Sequence, residues 1–250
     1  MSGDAAATET PEVSPAHRRY LEAAYYLVDE GMEIRRSRLA TWLGVSAPSV
    51  TEAVARLRRD ALLVEGPHQT LRLTERGHRV AADVVRRHRI VEAWAVLSLG
   101  LDWVTADEEA QRLAPVVSDA VLARMHEVIG RPACCPHGNQ IPGEPAAELV
   151  ARRLVDLAPG TEGWVARISE LAEHDAHEIL DLAERAGLVP TTPVTVAAVA
   201  PDGAMTLEVR GRSERVWPRV GSAVWVTEDP RVVRGREAGD QVAAPDPVAP

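Results

Sequence analysis

The chain has 250 residues, of which 46% are hydrophobic, and a formal net charge of −9. This length allows one large domain or two to three small ones with real cores. No apolar run approaches the ~20 residues of a membrane span, and the polar N-terminus lacks the apolar core of a signal peptide. Two adjacent cysteines, Cys134 and Cys135, are too few for a disulfide framework. We therefore expect a soluble cytoplasmic protein.

The charge is spread unevenly along the chain. Residues 16–89 hold 14 arginines against nine acidic residues, a balance of +5, which leaves −14 on the rest of the chain. A basic N-terminal third on an acidic body is typical of a module that faces phosphates.

Three short helices are predicted before residue 60. The first lies in RRYLEAAYYLVDEG and closes at Gly31, and the second lies in IRRSRLATWLG and closes at Gly44. The third begins after Ser46, a good N-cap, with Pro48 in its first turn. Short alternating strands around GPHQ then predict a wing-like hairpin.

Two helices around a tight turn, a further helix and a hairpin indicate a winged helix-turn-helix. In such a module the second helix of the motif lies in the major groove, with its N-terminal side chains on base edges, whereas arginines further along favour phosphates. The alternative is a winged helix that is used only for protein contacts. The predicted DNA-binding residues are Ser46, Pro48, Ser49, Thr51, Glu52, Arg56, Arg58 and Arg59.

The sequence pattern changes twice in the rest of the chain. Glu75 to about Arg131 reads as helical throughout, a pattern that beside a small DNA-binding head favours dimerisation. A Cys-Pro-His-Gly-rich connector (134–145) follows, and short strands with PG and PDG turns then indicate a small β-barrel. The predicted segments are a disordered tail (1–15), a winged helix-turn-helix DNA-binding domain (16–82), a helical dimerisation and metal-binding domain (83–147), a small β-barrel (148–228) and a second disordered tail (229–250).

The chain resembles the diphtheria-toxin-repressor and manganese-transport-regulator family of metal-dependent repressors. The residues that carry the resemblance are YLEAAYYL, VSAPSVTEAVARLRRDALLV, LTERGHRVAADVVRRHRIVEAW, VSD (117–119) and HGNQIPG (137–143). The resemblance implies a mainly α fold with a C-terminal SH3-like (FeoA-type) domain. It also implies a homodimer that binds a palindromic DNA operator when Mn²⁺ or Fe²⁺ is present, with no enzymatic activity and no membrane partner. It places Ser46, Pro48 and Glu52 at the DNA, although the family often has Gln where this chain has Glu52.

The resemblance implies two metal sites per subunit, and the primary one departs from the family pattern. Its four positions fall on Arg19, Gln111, Ala114 and Pro115. Arg cannot ligate a cation, and Ala and Pro offer no side-chain donor, so the primary site is predicted to be lost.

The ancillary site keeps ligating residue types at every position that the resemblance assigns to it. His88 and Glu92 share one helical face because they are four residues apart. One imidazole with four carboxylates suits Mn²⁺ or Fe²⁺, and also Co²⁺ or Zn²⁺. We expect one ion per subunit, which docks the SH3-like domain, and the alternative is a solvated acidic face. The predicted ligands are His88, Glu92, Asp107, Asp175 and Glu178.

Two smaller groups and one rival function stay open. Cys134, Cys135 and His137 are either metal or redox residues or a structural connector, and His174 and His177 either join the metal site or lie on the surface. No phosphate loop or nucleophile pattern points to an enzyme. The rival function is a metal-independent winged-helix regulator that responds to another effector or to none.

Overall fold

The computed structural model describes residues 13–146, 148–170 and 177–231. The chain divides into two compact units, residues 1–84 and 85–250. Residues 1–12 and 232–250, which make up most of the two tails predicted to be disordered, lie outside the described residues, as do Asp175 and His174.

The first unit is the predicted winged helix-turn-helix. It contains α1 (Pro15–Asp29), α2 (Arg36–Leu43), α3 (Ala47–Arg59), β1 (Leu63–Glu65), β2 (Leu71–Leu73) and the first part of α4 (Glu75–Leu99). Ser46 caps α3 by accepting a hydrogen bond from the Ser49 amide, and Gly44 ends α2 in the left-handed region at φ +62°. The fully buried leucines of this unit are Leu21, Leu27, Leu39, Leu57, Leu62, Leu63 and Leu71.

The wing is a two-stranded antiparallel hairpin in which Leu63 pairs with Leu73. A turn at Pro67–Gln69 joins the strands, and both His68 and Gln69 have positive φ.

Helix α4 enters the first unit through a close approach at Gly77. A Cβ added at Gly77 would lie 1.9 Å from the carbonyl oxygen of Leu62, so only glycine fits at this position. The Thr74 hydroxyl accepts from the Gly77 amide and donates to the Ala61 carbonyl. The start of α4 is thereby fixed against the strand that forms one side of the wing.

The second unit starts with the remainder of α4, followed by α5 (Trp103–Leu113) and α6 (Asp119–Val128). The helical pattern predicted from Glu75 to about Arg131 is interrupted in the structure, because Pro115 and the N-cap Ser118 separate α5 from α6. The buried guanidinium of Arg87 replaces the missing helical hydrogen bonds, because it donates to the carbonyl oxygens of Ala114 and Val117 and pairs with Asp119. A cation is also favoured at the C-terminal end of a helix.

The second unit continues with a six-stranded antiparallel sheet in the order β3-β8-β4-β5-β6-β7. Its strands are β3 (Arg152–Arg153), β4 (Glu162–Ile168), β5 (Pro193–Val199), β6 (Met205–Val209), β7 (Arg212–Val216) and β8 (Val224–Thr227), accompanied by α7 (His177–Arg185) and α8 (Pro218–Ala223). Register shifts at Val165/Arg167 and Val196/Ala198 bend β4 and β5. Trp103 of α5 belongs to the apolar core of the sheet. The helices also have a buried cluster of their own, which consists of Ile90, Val91, Ala110, Ala114, Leu122 and Ile141.

Among the helices of the described residues, none combines the length and the apolar character that crossing a membrane requires.

Replacing Gly77 with Ala is expected to destabilise the first unit selectively. The new methyl group would collide with a backbone carbonyl, and overpacking of this kind costs about 1–3 kcal/mol. Hydrogen exchange read by mass spectrometry should show faster exchange in α1–α3 and unchanged exchange in the sheet. Arg79→Ala is the matched control, because its side chain is 65% exposed on the same helix. Equal protection in Gly77→Ala and the control would contradict this role for Gly77.

Candidate metal centre and nucleic-acid interface

Helix α4 carries two adjacent metal-type ligands into the interior of the second unit. His88 and Glu92 are 3% and 1% exposed, and Nε2 of His88 lies 4.0 Å from Oε1 of Glu92. Residues 87–93 of α4 are all buried, so this stretch of the helix is enclosed by the fold. Glu92 therefore has no route to water and must find its charge partner inside the fold.

Asp107 reaches the same point from α5. Its Oδ1 lies 3.2 Å from Nε2 of His88. Trp103, Ala106, Asp107 and Ala110 are the buried residues of α5, at i, i+3, i+4 and i+7, so the aspartate occupies a position in the apolar stripe. Asp102 starts the helix by accepting from the Thr105 amide and hydroxyl, which lowers the pKa of the Asp102 carboxyl.

The Cys-Pro-His-Gly connector supplies two further ligand-type side chains. Nδ1 of His137 lies 3.2 Å from Oε1 of Glu92, and His137 is completely buried. The Sγ atom of Cys135 falls within 4.8 Å of both groups. Burial and the nearby Glu92 carboxylate raise the pKa of the Cys135 thiol to about 12. Glu92 thus lies between His88 with Asp107 on one side and Cys135 with His137 on the other. We call these five residues the Glu92 cluster.

The connector is fixed by the edge of strand β4. The Ile168 amide donates to the His137 carbonyl at 2.8 Å, and the Asn139 side-chain amide donates to the Ile168 carbonyl at 2.9 Å. Arg167 donates to Oδ1 of Asn139 at 3.1 Å. At Gly138 a Cβ would lie 2.3 Å from the Ala166 carbonyl oxygen. The sheet therefore positions Cys135 and His137.

A buried ion pair adjoins the cluster. Arg89, 1% exposed, donates to Glu170, 2% exposed, and to the Gln140 carbonyl. It joins α4, the connector and the residue that follows β4. Because Arg89 compensates Glu170, the carboxylates of Glu92 and Asp107 remain as the two acidic groups of the cluster.

The ligands predicted from the sequence divide into three groups. His88, Glu92 and Asp107 come together, and Asp175 lies outside the described residues. Glu178 is exposed on α7, lies 3.6 Å from Arg219, and belongs to neither ligand group found among the described residues. Cys135 and His137 also come to the cluster, and the sequence alone leaves their role open. The signal for them is two ligand-type residues two positions apart, but spacing alone does not reveal which helix they face.

The positions assigned to the primary site offer little to a cation. Gln111 and Pro115 are exposed and Ala114 is buried at the end of α5. Neither ligand group found among the described residues includes any of these positions. Arg19 is an exposed residue of α1 in the first unit.

The predicted DNA-binding residues lie along the exposed side of α3. Val50, Val54 and Leu57 are buried, whereas all eight predicted residues, Ser46, Pro48, Ser49, Thr51, Glu52, Arg56, Arg58 and Arg59, are exposed or half-exposed. Glu65 of the wing lies 2.5 Å from Arg36 and 3.2 Å from Arg58, and the hydrogen bond from Arg36 lowers the pKa of its carboxyl. The wing and the two helices of the motif therefore share one charged network.

Two family models match the chain. The N-terminal DNA-binding domain of iron dependent repressors matches residues 12–71, and the metal binding and dimerisation domain of iron dependent repressors matches residues 74–143. The iron-dependent repressor IdeR of Mycobacterium tuberculosis is 37% identical over 213 residues, which covers 80% of this chain and 90% of the relative. The diphtheria toxin repressor of Corynebacterium diphtheriae is 31% identical over 202 residues, which covers 77% and 88% respectively.

Solved structures are similar over the same range. A manganese-dependent transcriptional repressor in complex with manganese has a TM-score of 0.75 and 27% identity, covering 85% of this chain and all of that one. ScaR with bound Zn²⁺ has a TM-score of 0.70 and 27% identity, covering 85% of this chain and 99% of that one.

The metal-free protein is expected to hold Cys135 as an unreactive thiol. A pKa of about 12 leaves about three orders of magnitude less thiolate at pH 8 than a free cysteine with a pKa of ~8.5. In a Cys134→Ser variant, where Cys135 is the only cysteine, a disulfide reagent should react at least about 1,000-fold more slowly with the native than with the urea-unfolded protein. Comparable native and unfolded rates would mean that Cys135 is neither buried nor protonated.

Proposed function

The chain belongs to the iron-dependent repressor family, and from that premise we propose that it is a metal-controlled transcriptional repressor. It binds a palindromic DNA operator as a homodimer, in keeping with the DNA-binding and dimerisation domains that it matches. The observation that carries metal control is the Glu92 cluster, in which two imidazoles and a second carboxylate surround one buried carboxylate.

The donor chemistry of the cluster fits a divalent transition metal. Two carboxylates without a compensating cation are costly in a dry interior, so the group calls for either protons or a metal ion. Oε1 of Glu92 is buried and takes part in no hydrogen bond among the described residues, although Nδ1 of His137 lies 3.2 Å away. His88, Glu92, Asp107, His137 and Cys135 would hold the ion.

The composition of this set limits the choice of metal. Carboxylates alone suit Mn²⁺ and Mg²⁺, whereas imidazole and thiolate favour Fe²⁺, Co²⁺ and Zn²⁺. A set with two imidazoles and a thiol therefore binds Zn²⁺, Co²⁺ or Fe²⁺ more tightly than Mn²⁺. The printed names of IdeR and of one structural neighbour specify iron and manganese, and ScaR was solved with bound Zn²⁺. The order of affinities proposed for this chain rests on its own ligands.

Control is assigned to this one centre in each subunit. The primary positions carry Arg19, Gln111, Ala114 and Pro115, which cannot form a cation site of their own. Arg87 already satisfies the carbonyl oxygens that follow Ala114, so this turn is held without a metal.

The regulatory step follows from the elements that meet at Glu92. Ligands from α4, α5 and the connector are fixed together when an ion is bound, and the connector is itself hydrogen-bonded to β4. When bound, the ion would supply positive charge beside Glu92, and the ligands from α4, α5 and the connector would hold it jointly. The residues of this chain then couple the sheet to α4, the helix that begins in the DNA-binding unit.

Replacing Glu92 with Gln is expected to abolish metal control of DNA binding, because it removes the negative charge that lies between the other four proposed ligands. Isothermal titration of the metal-stripped full chain with Zn²⁺ and with Mn²⁺ should give about one ion per wild-type subunit and at least a 100-fold weaker affinity in the variant, as ligand removal exceeds the ~10–100-fold effect of outer-shell changes. A DNA-shift assay on the protein's own promoter region should lose its metal dependence in parallel.

Glu178→Gln is the matched control, since this exposed carboxylate lies outside the cluster. Its affinity should stay within about twofold of wild type. Metal loss in Glu178→Gln with retention in Glu92→Gln would reverse the assignment. Absence of binding in wild type, with unchanged DNA affinity, would favour the metal-independent regulator.

Ligation by Cys135 is tested separately with Co²⁺. A thiolate bound to Co²⁺ gives a near-ultraviolet charge-transfer band that oxygen and nitrogen ligands do not give. Wild type and Cys134→Ser should show this band and Cys135→Ser should not, although the two cysteines are adjacent and both buried. The band should appear with release of a proton, since the thiol is protonated in the metal-free protein. A band that survives in Cys135→Ser would exclude this cysteine as a ligand.

A further inference from the structure

Glu52 is an acidic residue on the surface that the basic N-terminal third directs toward phosphates. At about 100° per residue, its side chain projects roughly 170° around the α3 axis from the mean direction of the buried stripe of Val50, Val54 and Leu57. It therefore points directly away from the core of the unit. This is the side of a recognition helix that enters the major groove deepest. A carboxylate at this position is repelled by phosphates unless it finds a donor on a base.

The other polar side chains of the first two turns are engaged locally. The hydroxyls of Ser46 and Ser49 lie 2.9 Å apart, and Ser46 also caps the helix. Thr51 donates its hydroxyl to the Ala47 carbonyl at 2.9 Å, so its hydroxyl proton is already used within the helix. Glu52 is thus the side chain of this stretch that extends hydrogen-bonding capacity outward from the helix.

Arg56 pairs with Glu52 one turn further along α3. Both side chains are more than half exposed, at 52% and 67%, so the pair contributes little to stability. Its effect is to fix the carboxylate and to offset its charge near the DNA backbone. Arginine keeps further N–H groups for a phosphate or a guanine.

We infer that Glu52, positioned by Arg56, reads a cytosine in each operator half-site. A carboxylate accepts from the N4 amino group of cytosine, which is the donor that a C·G pair presents in the major groove, whereas glutamine in its place would favour adenine. This inference rests on the proposed DNA-binding function and adds to it the identity of one base. Discrimination against other bases is expected at about tenfold to a hundredfold, the range of a good side-chain pair.

The test is selection of binding sites from randomised duplex DNA by the full chain, with Zn²⁺ or Mn²⁺ present and absent. Wild type should enrich a site with cytosine at one fixed position in each half. Glu52→Gln should change that position to adenine and leave the others as they are. Arg56→Ala should keep cytosine but select it at least about threefold less strongly.

Glu75→Gln is the matched control. Glu75 forms the same kind of i, i+4 pair with Arg79, and both are exposed, but it lies on α4 rather than on the recognition helix. Its selected site should equal that of wild type. A site that Glu52→Gln leaves unchanged overturns this inference alone. Absence of any enrichment by wild type, with or without metal, overturns the proposed function and the inference together.

Discussion

The second unit depends on one buried carboxylate that faces two imidazoles. Glu92 is 1% exposed, and Nδ1 of His137 and Nε2 of His88 approach the same oxygen at 3.2 and 4.0 Å. In a dry interior such a group is tolerated only when charge of the opposite sign, from protons or from a metal ion, is held beside it. The positive charge beside the Glu92 carboxylate therefore determines how firmly α4, α5 and the connector are held together.

In the described part of the chain, the sheet contacts the connector through the backbone of β4 and through the side chain of Arg167. His137 is held because its own carbonyl accepts from Ile168, and Asn139 and Gly138 keep the connector flat against β4. Hydrogen bonds to the main chain of a strand define position more tightly than an exposed side chain does, because a strand in a sheet is fixed by its neighbours on both sides. β4 lies between β8 and β5 in the sheet. Within the described residues, the sheet therefore supports the connector that carries Cys135 and His137 of the Glu92 cluster.

The sequence predicted the elements well where a local signal was strong. Ser46 as a cap, Gly44 as a turn and the alternation around GPHQ specified the winged helix-turn-helix almost to the residue, since each signal acts over three or four positions. The break between α5 and α6 has local signals in Pro115 and Ser118, whereas the hydrogen bonds from Arg87 to the carbonyl oxygens of Ala114 and Val117 depend on tertiary structure. The same limit applies to the site. The spacing of His88 and Glu92 defines a helical face, and Asp107 stands in an apolar stripe, but only tertiary structure brings His137 to Glu92 across 45 positions and leaves Glu178 beside Arg219.

Glu52 and Glu92 are both carboxylates in surroundings that disfavour a negative charge. Glu92 is buried, where a carboxylate is expensive, and Glu52 stands exposed on a basic surface, where it opposes the attraction of that surface for phosphates. Neither contributes much to the stability of the isolated chain: the exposed pair with Arg56 is worth a few tenths of a kcal/mol, and an apolar residue would pack at position 92 at lower cost. A residue that does not stabilise the unliganded protein can be accounted for by a ligand that it binds. For Glu92 the proposed ligand is a cation, and for Glu52 the proposed ligand is the amino group of a base.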